Sequence, residues 1–350
     1  MSAVLPAVAP FGALLLSLMI GAVIIKGIGI SPVAAYRSLW NGVFGTGAGF
    51  GLSITRTVPL LFAGLSVAIA FRGGLFNIGG EGQIYIGALA STAAALLLPA
   101  MPWAVHFPLI LVASFLAGGL WGALAGWMRA RYGLNEIITT IMLNYVAFWL
   151  VSYLVHGPLL DRASYYPWSA EVPESTRFPI LHDPTGIHLG IFLAVAVAVL
   201  TWVFLWFTAT GFAIRAAGSG ASTARFAGVN VTRSIVLAMF VAGGLAGLGG
   251  TAEIHGVQFR LSDFFSPGYG FTGIAVALLG RTNPLGVVVA ALFFGMLDAG
   301  SDNMQQTVAV PSAVIQLVQG VAIVFLVMSS SLGLLRNLLR RQELKYAAGH

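Results

Sequence analysis

The sequence predicts an all-α, polytopic bundle of membrane-spanning helices. Three observations carry that prediction. Of 350 residues, 58% are hydrophobic and 8% charged, with a mean hydropathy of +0.92; a soluble domain carries about 25% charged residues. Apolar runs near the ~20 residues that cross a bilayer core recur along the chain. The 44 glycines fit the same class, because Gly is commoner in membrane helices than in soluble ones.

Taken in order, the candidate segments are 5–25, 57–71, 75–98, 104–127, 137–156, 188–208, 234–254, 264–280, 284–300 and 311–330. That is about ten spans. The second, eighth and ninth are short and glycine-interrupted, and are expected to be half-helices or re-entrant pieces. The first run, Leu5 to Ile25, has no Lys or Arg before it. A secretory signal needs a positive leading region, so the run reads as a retained helix. Residues 26–56 either cross the membrane or lie in its interface, with Tyr36, Arg37 and Trp40 as anchors. No soluble domain fits, and residues 1–350 read as one transmembrane domain.

Charge sets the expected orientation. With the amino terminus inside, the cytoplasmic segments hold Arg72, Arg129, Arg131, Arg215, Arg225, Arg233 and Arg281, together with Arg336, Arg340, Arg341 and Lys345 of a basic tail at 332–350. The external segments hold Lys26, Arg37, Arg56, Arg162, Arg177 and Arg260. Positive charge collects on cytoplasmic loops, so both termini are expected in the cytoplasm and residues 157–187 form an external, ordered loop. The net charge of +6 is spread singly over short loops, which fits a membrane better than nucleic acid.

Several chemistries are missing. The chain has no cysteine, hence no disulfide or zinc-thiolate site. Its lysines, Lys26 and Lys345, follow no Gly-x-x-x-x-Gly frame, so there is no P-loop. The histidines make no H-E-x-x-H pair and no paired metal spacing. No Gly-x-Ser-x-Gly elbow occurs. No cofactor site is expected in this chain.

The most informative stretch is FRGGLFNIGGEGQIYIG at 71–87. It places Asn77, Glu81 and Gln83 between two apolar runs. Such groups are expensive in lipid unless they face protein or a water-filled path. Gly79, Gly80 and Gly82 allow an unwound turn or close backbone approach. Two readings stand open: a polar lining of a transport path, or a hydrogen-bonded network fixing a helix break. Glu136, Thr140 and Asn144 fall at i, i+4 and i+8 on one helix face, with Asn135 as its cap. Asn144 either joins helices or lines the path; Tyr145 and Trp149 beside it could stack on a base-like solute. Gln316 and Gln319 carry amides suited to a sugar or a base. Glu253 with His255, and Asp298 with Asp302, are placed at helix ends on the external side. Gly118, Gly122 and Gly126, and likewise Gly243 and Gly247, recur every four residues and form smooth faces for helix approach, within a subunit or between two.

Residues 209–233 are long for a connection between neighbouring spans. Ser219 or Ser222 is expected to cap a short helix at 221–227, with Gly228 as a left-handed stop. The segment is either an interfacial connector or a helix that docks on a cytoplasmic motor.

Three stretches make the resemblance specific: FRGGLFNIGGEGQIYIGA at 71–88, GLNEIITTIMLNYVAFWLVSYL at 133–154 and PGYGFTGIAVALLGRTNPLG at 267–286. They resemble the membrane permease subunits of bacterial ABC importers, in the branch serving ribose, branched-chain amino acids and nucleosides. The Asn-Glu-Ile-Ile run and the Leu-Asn-Tyr after it look most like the nucleoside type. The likeness covers about 57–330. Arg215, Gly218, Ala224 and Gly228 of the connector also fit; Gly218-Ser219-Gly220-Ala221 departs from the usual Gly-x-Asn-Pro. The resemblance implies a multi-pass protein of the bacterial inner membrane. It also implies a separate cytoplasmic ATPase holding ATP and Mg, a second permease, homologous or identical, and an external substrate-binding protein or lipoprotein. Residues 210–233, with Arg215, Gly218, Ser219, Ala224, Arg225 and Gly228, would couple to the ATPase. Asn77, Glu81, Gln83, Asn144, Tyr145, Gln316 and Gln319 would serve the solute path. The alternatives are a ribose or branched-chain amino acid permease, an ion-coupled transporter working alone with Glu81 as its carboxylate, and a membrane scaffold without transport.

Overall fold

A computed structural model describes residues 5–325 apart from 312, 319, 322 and 323. Twelve helices are bounded among them: α1 (Leu5–Gly27), α2 (Pro32–Phe44), α3 (Gly47–Arg72), α4 (Gly80–Leu97), α5 (Trp103–Tyr132), α6 (Glu136–His156), α7 (Gly190–Phe207), α8 (Ala209–Ser219), α9 (Ala221–Phe226), α10 (Val231–Glu253), α11 (Tyr269–Leu279) and α12 (Pro284–Val308). Among the described residues, six helices are long and apolar enough to cross a membrane, or seven if α1 and α2, which meet at 119°, count as one broken span. The basic tail at 332–350 lies outside the described residues.

The expected segments map onto helices with three corrections. The second, predicted at 57–71, is a full helix from Gly47, and its start is capped by Thr46, whose hydroxyl accepts the Gly49 amide at 3.0 Å. Arg56 therefore lies inside α3 and not in a loop. The segment predicted at 284–300 runs on to Val308, with Asp298 and Asp302 inside it. Glu253 and His255 do not end a helix in solvent. Both are buried, and the helix continues through a π turn to Gln258. Polar residues diluted the hydropathy at each of these places, yet their partners within the protein keep the backbone helical.

The chain divides into two units, residues 43–299 and the described residues on either side of them. In the larger unit, α3, α4, α10 and the short α11 are mostly enclosed, and α5 lies along α10. The glycine face is what lets α5 and α10 approach. A Cβ on Gly118 would stand 2.5 Å from the Gly243 carbonyl oxygen, closer than real Cβ contacts allow. Small residues at this spacing gain packing that lipid cannot supply. The two glycine rows therefore meet each other inside this subunit.

The segment between α6 and α7 is ordered, as expected. It contains a small antiparallel pair, β1 (Ile180–His182) and β2 (Ile187–His188). Backbone bonds stitch it to the chain after α10: Ser169 N to Leu261 O at 2.9 Å, Val172 N to Phe259 O at 2.9 Å and Phe178 N to His255 O at 3.0 Å. Arg260 reaches Asp161 at 3.1 Å and Glu171 at 3.4 Å, and Arg177 reaches Glu171 at 2.7 Å.

In the smaller unit, Ile25, Ala35, Met304, Val310, Val314 and Ile315 form an apolar core. Asn303 donates to the Ser38 carbonyl at 2.7 Å and to its hydroxyl at 3.1 Å. Residues 26–44 thus include a helix packed by its own unit, within the stretch that the sequence left as either crossing the membrane or lying in its interface.

Candidate functional site

The polar stretch after α3 is a joint. Helix α3 stops at Gly73, and Gly74 takes φ +73°, a conformation that L side chains rarely adopt. The chain then turns back and enters α4 at Gly80. Asn77 and Gln83 clasp one another: Asn77 Nδ2 donates to Gln83 Oε1 at 2.8 Å, and Gln83 Nε2 donates to Asn77 Oδ1 at 3.0 Å. Asn77 also donates to Ser66 Oγ at 3.2 Å and accepts the Gly79 amide at 3.2 Å. Asn144, reaching in from α6, accepts the Gly82 amide at 2.8 Å and donates to the Ile78 carbonyl at 3.0 Å. The unwound backbone is thereby satisfied by protein, as a non-aqueous setting requires.

Glu81 closes the joint onto the third resemblance stretch. Its carboxylate accepts the Gly270 amide at 2.6 Å. Gly270 sits in the first turn of α11, where unpaired amides and the helix dipole favour an anion. Arg72 does not pair with Glu81. It donates to the Thr282 carbonyl at 3.0 Å and the Arg281 carbonyl at 3.3 Å, and its guanidinium lies over Trp206. Of the residues expected on a path, Asn77, Glu81, Gln83 and Asn144 are brought together and buried. Tyr145 is separate and 56% exposed. Gln316 is exposed on the smaller unit. Gln319 lies outside the described residues.

A second polar group was not legible as a unit. Arg56 on α3 pairs with Asp298 on α12 at 3.3 Å and donates to the Tyr269 hydroxyl at 3.3 Å. Nearby, Gln258 bridges Glu253 at 2.8 Å and the Phe265 carbonyl at 2.9 Å. The available signal was the presence of Arg56 and Asp298 inside helices long enough to cross a membrane.

The connector forms two helices. Thr208 caps α8, accepting the Gly211 amide at 3.0 Å. Neither Ser219 nor Ser222 caps α9: its start has no side-chain cap, and Ser219 Oγ instead donates to the Arg215 carbonyl at 2.9 Å. Gly228 has φ +80°, the left-handed stop that was expected. Arg215 donates to the Leu205 carbonyl at 2.9 Å and lies over Trp206. Gly218 packs on Gly74, where an added Cβ would meet the Gly218 Cα at 2.9 Å, so connector and joint share one backbone contact. Ala224 is buried with Ala217 and Val231, which anchors α9 on the bundle. Arg225 is exposed beside Phe226, whose ring is 94% exposed at the tip.

Residues 50–327 match the family described as branched-chain amino acid transport system / permease component. The chain belongs to this permease family. The permease is 37% identical to a glucose ABC transporter permease of Haloferax volcanii, over 91% of this chain and 87% of that one. It is 36% identical to a guanosine ABC transporter permease of Bacillus subtilis, over 95% and 96% of the two chains. A nucleoside ABC transporter permease of Lactococcus lactis is 32% identical over 91% and 89%. No solved structure matches. The permease is thus a non-catalytic, multi-pass cell-membrane subunit of an ABC importer, whose ATPase is a separate subunit and whose system includes a substrate-binding protein.

Proposed function

We propose that this permease imports nucleosides, guanosine among them. The observation that carries this reading is the nearly end-to-end match with the guanosine permease, supported by the nucleoside permease of a second organism. The similarly strong match with the glucose permease favours a sugar as the second reading.

In this reading two permeases, identical or homologous, frame the path. A cytoplasmic ATPase binds the connector, and an external substrate-binding protein or lipoprotein delivers the solute. Both termini lie on the same side of the membrane in this reading. Positive charge, eleven residues on that side against six on the other, supports its assignment as cytoplasmic. Residues 157–187 then form the external loop, 210–233 the coupling segment and 332–350 a cytoplasmic tail. ATP and Mg belong to the ATPase.

The joint acts on transport by holding the start of α4 against the start of α11. Asn77, Glu81, Gln83 and Asn144 spend their hydrogen bonds on protein, so their role on the path is to shape it, while Tyr145 and Gln316 remain available to face it. Gly218 packs the connector on the joint, so movement of the connector is passed to it there.

The deciding experiment uses the complete importer in proteoliposomes. Guanosine is expected to saturate the substrate-binding protein, stimulate ATP hydrolysis and accumulate inside. Stimulation and uptake with glucose but no nucleoside would overturn the solute assignment. Uptake by this chain alone on an ion gradient would overturn the importer reading.

A further inference from the structure

Arg72 and Arg215 share one aromatic ring. The Arg72 guanidinium carbon lies 5.2 Å from the centroid of Trp206, and that of Arg215 lies 5.5 Å from it. Arg72 is the last residue of α3, Trp206 the penultimate residue of α7, and Arg215 stands in the connector helix α8. Arg72 is fixed by the carbonyls of Arg281 and Thr282, in the turn that leads into α12. Helices α3, α7 and α12 are each long and apolar enough to cross a membrane. Three span ends therefore meet at this group, which puts it where the hydrocarbon stops.

The two cations are not offset. Among the described residues, no Asp or Glu pairs with either arginine. Their donors are only partly used. Arg72 commits Nε and Nη2 to the turn, and Arg215 commits Nε to the Leu205 carbonyl. Arg72 Nη1, both Nη atoms of Arg215 and the Trp206 Nε1 have no protein acceptor among the described residues, and none of these atoms is sealed inside the bundle. An arginine that only snorkels to water needs no such fixing. Here each guanidinium is held by backbone and by one ring, with part of its fork left over. That fork matches a phosphate, which can accept two parallel hydrogen bonds. The rim beside it is apolar. Phe207 follows Trp206 and is 68% exposed; Phe212, three positions before Arg215 on α8, is 58% exposed. Basic pockets between membrane helices suit anionic headgroups.

We propose that Arg72 and Arg215, arrayed on Trp206, bind the phosphate of an anionic phospholipid at this end of the bundle. The headgroup bridges the end of α3 to α8 and steadies the connector against the joint. The two backbones already touch there, since an added Cβ on Gly218 would meet the Arg72 carbonyl oxygen at 2.2 Å. The site serves the permease whichever solute it carries. A free phosphate shares the chemistry but has no acyl chains for the apolar rim.

The test uses the complete importer, purified in nonionic detergent and titrated with phosphatidylglycerol. Native mass spectrometry then reads the lipid adducts that stay on this chain. Saturable retention of phosphatidylglycerol is expected, with phosphatidylcholine retained far less. Arg72→Gln and Arg215→Gln should each weaken retention of the anionic lipid several-fold. Equal retention of the two lipids by the wild-type chain would overturn the proposal, and so would unchanged retention by both variants. Excess inorganic phosphate should leave most of the lipid in place; complete displacement would assign the site to a soluble anion and overturn the lipid. Loss of the ATPase from Arg215→Gln, with lipid retention unchanged, would assign the cations to an acidic surface of that subunit and overturn the proposal. If a Gln variant does not elute as a folded complex, Arg215→Lys keeps a charge and loses the fork. It should hold phosphatidylglycerol several-fold more weakly than wild type, and equal retention overturns the assignment.

Discussion

Glu81 and Gly270 stand 189 positions apart in the chain, and the Glu81 carboxylate accepts the Gly270 amide at 2.6 Å. This bond ties the entry of α4 to the first turn of α11, two helices that no short-range pattern connects. Gly270 admits no larger residue there, because an added Cβ would strike the Glu81 backbone.

Glu81→Ala leaves a buried amide without its acceptor. A buried donor left unsatisfied costs about 1–3 kcal/mol, so detergent melting temperature and uptake should both fall. Glu81→Gln keeps an oxygen acceptor and should sit between the two. Wild-type uptake and melting in Glu81→Ala would remove the bond from any role in the joint.

The contact between α5 and α10 depends on the absence of side chains. Gly118→Val should force the helices apart at Gly243, with an overpacking cost of about 1–3 kcal/mol or more. Reduced accumulation of folded chain in the membrane, read by fluorescence-detected size exclusion, is the expected result. Gly133, at the left-handed end of α5 with open space around it, provides a contrasting site: Gly133→Asn should be tolerated.

His188 predicts acid sensitivity for the loop between α6 and α7. Burial lowers its pKa to about 4, from an ordinary value near 6.5. Its Nδ1 accepts the Gly190 amide at 3.1 Å, which only the unprotonated ring nitrogen can do. The docked loop therefore holds the neutral form, and the undocked loop binds the proton more readily. The contribution is fully present above pH 6.5 and is lost as pH falls toward about 4. At most it amounts to roughly 3 kcal/mol, at 1.36 kcal/mol per tenfold change in acidity. Trypsin cleavage at Arg162 and Arg177, assayed after pre-incubation at graded pH, should increase in that window, and His188→Phe should flatten the profile. Equal cleavage of the wild-type chain at pH 4.5 and pH 7 would contradict the assignment.

Phe226 presents its ring almost wholly to its surroundings at the tip of α9, and Ala224 beneath it is buried. Phe226→Ala should leave the membrane subunit folded and weaken its co-purification with the ATPase. Ala224→Asp buries a charge beside Ala217 and Val231 and should displace α9, uncoupling hydrolysis from uptake. ATPase retention by both variants, with normal coupled transport, would exclude this tip from the docking surface.

Much of the architecture was readable from local composition. The apolar runs set most helices because a bilayer leaves the backbone little choice but to satisfy itself within a helix. The face Glu136–Thr140–Asn144, the cap at Asn135 and the stop at Gly228 were legible because they depend on residues a few positions apart. The positions of Arg56 and Asp298 were not. Read along the chain, Arg56 looked like a loop charge and Asp298 like a helix end, and their pairing joins two helices far apart in sequence. The serines of the connector misled for a related reason: a hydroxyl can cap a following helix or bond the carbonyl four residues back, and Ser219 takes the second course.

By itself, the sequence determined the membrane class, the helical content and the three stretches that mark the permease family, because these follow from hydropathy, period and short motifs. The tertiary structure decided what the polar residues do. It joined Asn77 to Gln83, Asn144 to the α4 entry and Glu81 to Gly270, and it paired Arg56, expected in a loop, with Asp298, expected at a helix end. Hydrogen bonds and ion pairs act over a few ångströms in space, and the distance between their partners along the chain carries almost no information about them.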